Sequence, residues 1–117
     1  MLPTLALTAG EPAGIGPELI ARIALRHRER PFAARLVVIG DRDLLAARAT
    51  RIGLAPRYAD YDPASAAPRS DAIEIWHQPT TVPVTPGQLE PANAHSVLAT
   101  LQRACDACAT GAFAALR

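Results

Sequence analysis

From Thr8 to Glu18 the chain reads Thr-Ala-Gly-Glu-Pro-Ala-Gly-Ile-Gly-Pro-Glu, a glycine-proline loop between an apolar strand and the first turn of a helix. Such junctions hold small anionic ligands in α/β proteins, because free amides and the positive helix pole converge on one spot. The loop is therefore the candidate ligand-proximal segment. The glycines permit backbone angles and close approaches that side chains forbid. Their spacing fits neither known phosphate loop: no third glycine follows Gly16 at the dinucleotide offset, and no Lys-Ser/Thr pair completes a P-loop. Read alone, they describe a tight strand-to-helix turn. Glu11 is open to two readings, a contact to a ligand or a neighbouring arginine, or a loop acid bonded to neighbouring amides.

Other reactive residues are sparse. Cys105 and Cys108 have zinc-like spacing but no matching second pair. They fall mid-helix, away from the helix N-terminus that would lower a thiol pKa, and read as two small core residues. His27, His77 and His95 are scattered: one at a helix edge, one beside a sheet end, one in the first turn of a long helix. No metal site is expected within the chain. All twelve basic residues are arginines, so no lysine base, Schiff base or phosphate clamp is available. Trp76, Tyr58 and Tyr61 read as sheet-packing residues, because no basic stripe accompanies them. Asp60 and Asp62 flank a turn and read as solvated.

A net charge of +1 gives no electrostatic case for nucleic acid or an anionic membrane. No run approaches the roughly 18 apolar residues of a membrane span, and no secretory leader opens the chain. A cytoplasmic protein of about one small domain is expected. Alanine-rich, aromatic-poor composition favours packed helices over a β-sandwich.

The elements that must position the loop alternate. Pro3–Thr8 reads as a strand buried on both faces. A helix follows from Pro17, with Leu19, Ile20, Ile23, Ala24 and His27 inward, ending at Pro31. Arg35–Gly40 is the strongest strand. Asp41 is a helix cap, and Asp43–Ile52 a second helix closed by Gly53. Strand, helix, strand implies a right-handed crossover and parallel pairing. Pro56–Tyr61 reads as a short strand, Asp62–Ser70 as a connection and Ala72–Trp76 as a strand covered on one face. Val82–Val84 reads as a proline-broken sheet edge, and Pro86-Gly87 as a turn. From Pro91 a long helix carries an apolar stripe of Ala94, Val97, Leu98, Leu101, Ala104, Cys105 and Cys108. Gly111 ends it. Phe113–Leu116 begins another strand, inside which the chain stops at Arg117. Residues 1–117 therefore read as the N-terminal portion of a longer protein.

The full opening string resembles the N-terminal signature of the 4-hydroxythreonine-4-phosphate dehydrogenases of pyridoxal phosphate biosynthesis. More distantly it resembles the Gly-Asp-Gly-Ile-Gly-Pro-Glu opening of isopropylmalate and isocitrate dehydrogenases. The likeness continues through Leu36-Val37-Val38-Ile39-Gly40-Asp41, Pro83-Val84-Thr85-Pro86-Gly87-Gln88-Leu89, Ala104–Cys108 and Phe113–Leu116. It implies an incomplete α/β fold, a three-layer parallel or mixed sheet with flanking helices, of isocitrate/isopropylmalate dehydrogenase type. It also implies oxidation of 4-phosphooxy-L-threonine by NAD or NADP, assisted by a divalent metal (Zn, Mg or Co). The 3-oxo product would lose CO₂ to give 3-amino-2-oxopropyl phosphate. The resemblance places Thr8, Gly10, Glu11, Gly14 and Gly16 on the family's N-terminal loop, ligand-proximal and near the cleft between subdomains, with no catalytic role. Metal ligands, phosphate clamp and catalytic residues would lie outside this chain, which alone would be inactive, and the whole protein would be a homodimer. Two rivals remain: a dehydrogenase of phosphorylated threonate or erythronate, and a non-catalytic flavodoxin-like module that binds a phosphate-bearing ligand.

Overall fold

The computed structural model describes residues 3–64, 72–80 and 82–116. Five strands, β1 (Thr4–Thr8), β2 (Arg35–Gly40), β3 (Tyr58–Asp60), β4 (Ile73–His77) and β5 (Ala115–Leu116), form one sheet in the order β3-β4-β2-β1-β5. Every pairing is parallel. Helices α1 (Gly16–Glu29) and α2 (Arg42–Arg51) cover one face, and α3 (Ala94–Ala109), entered through a 3₁₀ turn at Pro91–Asn93, covers the other. The result is a three-layer α/β/α arrangement, as parallel strands require when both faces must be covered.

Side-chain alternation builds two cores from one sheet. On the α1/α2 face Leu36, Val38, Ile73 and Ile75 pack with Ile20, Ala24 and Leu45. On the α3 face Ala6, Val37 and Ile39 pack with Ala104, Ala107 and Phe113. Tyr61, Trp76 and Phe113 complete that side, their ring centroids 5.3 to 5.9 Å apart. Tyr58 packs against the opposite core.

Several sequence expectations are corrected. Leu5 and Leu7 of β1 are only half-buried, because neither α1 nor α2 closes over them. Leu19 is half-exposed rather than inward, while Ala21 is buried. His27 sits fully inside rather than at a helix edge: Nδ1 accepts the Phe32 N–H at 3.0 Å, and the two rings stack. Strand β4 is covered on both faces, since Glu74 is buried by a bidentate pair with Arg35, Nε–Oε2 2.5 Å and Nη2–Oε1 2.7 Å. Val82–Val84 is no strand; Pro83 lacks an amide, and the Val82 N–H is taken by Asn93 Oδ1 at 2.9 Å. Helix α3 is turned relative to the expected stripe. Its small residues Ser96, Ala104 and Ala107 face the sheet, while Leu98, Leu101 and Cys105 face outward and Cys108 is half-buried. Of the expected Asp62–Ser70 connection, residues 65–70 lie outside the described residues.

Candidate functional site

The sheet order puts β2 on one side of β1 and β5 on the other, so connections diverge around β1. In open α/β sheets the crevice beyond the carboxyl ends of the strands at such a point is where ligands bind. The loop following Thr8 lies there, and its shape can be derived residue by residue.

Gly10 turns the chain off the strand with φ +71°, a conformation that disfavours L side chains. Glu11 to Gly14 close a turn, Gly14 N–H to Glu11 C=O at 2.9 Å. The Glu11 carboxylate accepts the Ala13 N–H at 3.3 Å. One Glu11 carboxylate oxygen is thus bonded to an amide of its own loop. Gly16 begins α1 so close to β1 that a Cβ would stand 1.8 Å from the Ala9 carbonyl oxygen. This glycine is a steric requirement of the strand-to-helix junction.

The group that fixes this loop was not evident from the motif. Arg48 comes from α2, 96 % of its surface buried. Its Nε donates to Glu18 Oε1 at 2.5 Å, Nη2 to Glu18 Oε2 at 2.9 Å, and Nη1 to the Pro12 carbonyl at 2.6 Å; Nη2 also donates to the Gly14 carbonyl. The intervening Ala13 carbonyl accepts the Gly87 N–H at 2.9 Å, which ties the Pro86-Gly87 turn to the loop. Three successive carbonyls are thus taken, those of Pro12 and Gly14 by the buried Arg48 and that of Ala13 by the surface turn at Gly87. Burial alone would raise the Glu18 pKa, but hydrogen bonds from Arg48 and the charges of Arg48 and Arg51 hold it below its ordinary value. Glu18 is therefore the ionic partner of Arg48 as well as a first-turn acid. A sequence signal existed: Arg48 follows Leu45 by three residues on the inward side of α2, where a solvated arginine would not be placed.

A second constellation forms the neighbouring wall. Asp41 caps α2 by accepting the Leu44 N–H at 3.1 Å, and it accepts both the amide and the hydroxyl of Thr80, at 3.0 and 3.2 Å. Burial would raise its pKa; the Thr80 and Leu44 bonds, with His77 nearby, bring it below its ordinary value. His77 does lie at the sheet end: its Nδ1 accepts the Arg42 N–H at 3.0 Å, while Arg103 reaches its carbonyl at 2.9 Å from above the Trp76 ring. Between Gly10, Asp41, Thr80 and Ser96 lies a cleft of about 30 Å³, room for a water molecule and not for a substrate.

The structure gathers Gly10, Glu11, Gly14 and Gly16 into one loop, with Thr8 ending the strand that feeds it. It does not gather the histidines, which lie on α1, at the end of β4 and on α3. Asp60 is exposed and paired with Arg42, and exposed Asp62 accepts the Ala64 N–H at 2.9 Å. Among the described residues no three His, Cys, Asp or Glu converge where they could hold a metal ion, and no helix is long and apolar enough to cross a membrane.

Comparison with known proteins gives a consistent picture. The family described as "Pyridoxal phosphate biosynthetic protein PdxA" matches residues 32–117. A 4-hydroxythreonine-4-phosphate dehydrogenase from Chromobacterium violaceum is 48% identical over 114 residues, covering 97% of this chain and 33% of its own length. One from Azoarcus is 46% identical over 117 residues, with the same 33% share. The chain thus spans about a third of these relatives. The crystal structure of the Klebsiella pneumoniae 4-hydroxythreonine-4-phosphate dehydrogenase superposes with a TM-score of 0.77 at 28% identity, covering 97% of this chain and 36% of that one. A terephthalate 1,2-cis-dihydrodiol dehydrogenase from Burkholderia xenovorans shares the fold, TM-score 0.73, at 22% identity over 99% of this chain and 33% of that one.

Proposed function

The chain belongs to the PdxA family, and we propose that it forms the matching third of an NAD(P)-dependent dehydrogenase that oxidises 4-phosphooxy-L-threonine. The 3-oxo acid so formed would decarboxylate to 3-amino-2-oxopropyl phosphate on the route to pyridoxal 5′-phosphate. The observation that carries this reading is the 48% identity to a relative of that name across almost the whole chain. We assign the complete fold to the isocitrate/isopropylmalate dehydrogenase type, and the assembled enzyme to a cytoplasmic homodimer.

Within that enzyme this chain contributes architecture. Its described residues do not fit a metal, since no donor set converges, and the nicotinamide, metal and phosphate sites fall to the parts of the family fold outside it. What the chain supplies is the Thr8–Gly16 loop at the crevice past β1, with the carbonyls of Pro12 and Gly14 held by Arg48 and that of Ala13 by Gly87. Thr8, Gly10, Glu11, Gly14 and Gly16 would then border the substrate cleft without performing chemistry.

The test is a hybrid. This chain replaces the matching third of the Chromobacterium violaceum relative, and the product is assayed with 4-phosphooxy-L-threonine, NAD or NADP, and a divalent metal. Nicotinamide reduction within about tenfold of the parent enzyme's kcat/KM is expected. A soluble, folded hybrid without turnover would refute the assignment. Turnover confined to phosphorylated threonate or erythronate would move it to the related substrate class.

A further inference from the structure

The segment from Thr80 to Gly87 is bonded at both ends to the carboxyl side of the sheet. The Thr80 amide and hydroxyl donate to Asp41, which follows β2, and the Gly87 N–H donates to the Ala13 carbonyl in the loop after β1. Because the sheet runs β4-β2-β1, the segment leaves the end of β4, passes β2 and reaches β1. It is a strap along three successive strand ends, beside the crevice in which open α/β sheets take their ligands. Its far end closes in a turn, Gln88 N–H to Thr85 C=O at 3.0 Å, with the Pro-Gly centre and positive Gly87 φ of type II.

The end bonds alone would leave the strap slack. Two strand spacings are about 10 Å, whereas the seven-residue step from Thr80 to Gly87 reaches about 23 Å when extended. The intermediate fastening is Asn93, whose Oδ1 accepts the Val82 N–H at 2.9 Å.

Packing alone does not account for an asparagine there. An asparagine just before a helix ordinarily caps it, yet Asn93 makes no side-chain cap to α3. It is 1% exposed, and its Nδ2 has no hydrogen-bond partner among the described residues. A leucine of similar volume would fill the position without burying an unsatisfied amide. The bond that the side chain does make is the one to the strap. The Asn93 backbone is itself fixed, its N–H donating to the Glu90 carbonyl at 2.9 Å and its carbonyl accepting the Ser96 hydroxyl at 2.7 Å.

We infer that Asn93 is a positioning residue: through the Val82 amide it fixes the strap along the ends of β4, β2 and β1, and so sets how tightly the crevice takes a phosphorylated hydroxy acid. A strap free to shift populates conformations that do not bind, which weakens affinity by the fraction lost and leaves the chemistry of the bound state unchanged. The identity of the substrate rests on the family reading, and the strap on its hydrogen bonds alone.

The experiment uses the hybrid with the Chromobacterium violaceum relative, unsubstituted or carrying Asn93→Leu or Asn93→Asp. Leucine removes the acceptor and aspartate keeps it. Kd for 4-phosphooxy-L-threonine is measured by calorimetry, KM and kcat by nicotinamide reduction, hydrogen exchange across residues 82–88 by mass spectrometry, and stability by urea unfolding. Asn93→Leu should speed exchange in the strap and raise Kd and KM about tenfold, the equivalent of one hydrogen bond. Its kcat should stay within about twofold and its unfolding midpoint close to the parent's. Asn93→Asp should keep slow exchange and a KM within about threefold of the parent's. Unchanged Kd and KM in the leucine variant, a loss confined to kcat or to the unfolding midpoint, or equal losses from leucine and aspartate would overturn the inference. A hybrid that binds the substrate in an Asn93-dependent way without turnover would refute the proposed reaction and leave the strap standing. One that neither binds nor reacts would overturn both.

Discussion

Two residues near the loop show how differently the same amino acid can be used. Gly10 needs its φ of +71° but has open space around it, so Gly10→Ala should cost about 1 kcal/mol in urea unfolding. Gly16 needs the space itself: a Cβ 1.8 Å from the Ala9 oxygen forces the loop to move, and Gly16→Ala should cost about 3 kcal/mol or more. Equal costs at the two positions would contradict the packed junction. Arg48→Met removes the partner of a half-buried carboxylate and strands the Pro12 and Gly14 carbonyls, and about 2 kcal/mol of destabilisation is expected. The pH dependence has a definite sign. Glu18 has a folded pKa below its ordinary 4.5, so its contribution is fully present above that value and is lost as pH falls through the lowered one. Glu18→Gln should flatten the acid limb of the stability profile; an unchanged limb would remove Glu18 from the account.

At the scale of elements, local signals were legible and relational ones were not. Strands β1 and β2, helices α1 and α2, and the Asp41 cap follow from period, proline placement and capping chemistry, all of which act within a few residues. Helix α3 was placed but rotated, because it carries apolar residues on two sides and the sheet selects the small ones, Ala104 and Ala107, over Leu98 and Leu101. Glu74 read as a solvent-facing residue because its partner Arg35 is thirty-nine positions away. The β3 edge supplies a further prediction. The Tyr58 hydroxyl is buried without a partner, and burial pushes its pKa from 10.0 to about 12. The unfolded chain therefore releases this proton first, and stability should fall as pH rises from about 10 toward 12. Tyr58→Phe should reduce that fall, leaving the part due to Tyr61, whose pKa burial also raises, and a fall of the same steepness in the variant would contradict it.

For the whole molecule, the sequence carried the family and the layered fold, whereas the strand order that puts the candidate loop at the sheet's switch point is visible only in the structure. The loop's motif did not disclose that Arg48, from the next helix, holds it, or that Glu11 occupies one of its own amides. What first resembles a ready anion site is a braced corner, and in our account the reacting groups belong to the rest of the enzyme. The most direct test compares one rate in two samples. This chain alone and its hybrid with the rest of the Chromobacterium violaceum relative are each given 4-phosphooxy-L-threonine, NAD or NADP, and a divalent metal. The account predicts nicotinamide reduction by the hybrid and none by the chain alone. Turnover by the isolated chain, or a folded hybrid that is inert, would contradict it.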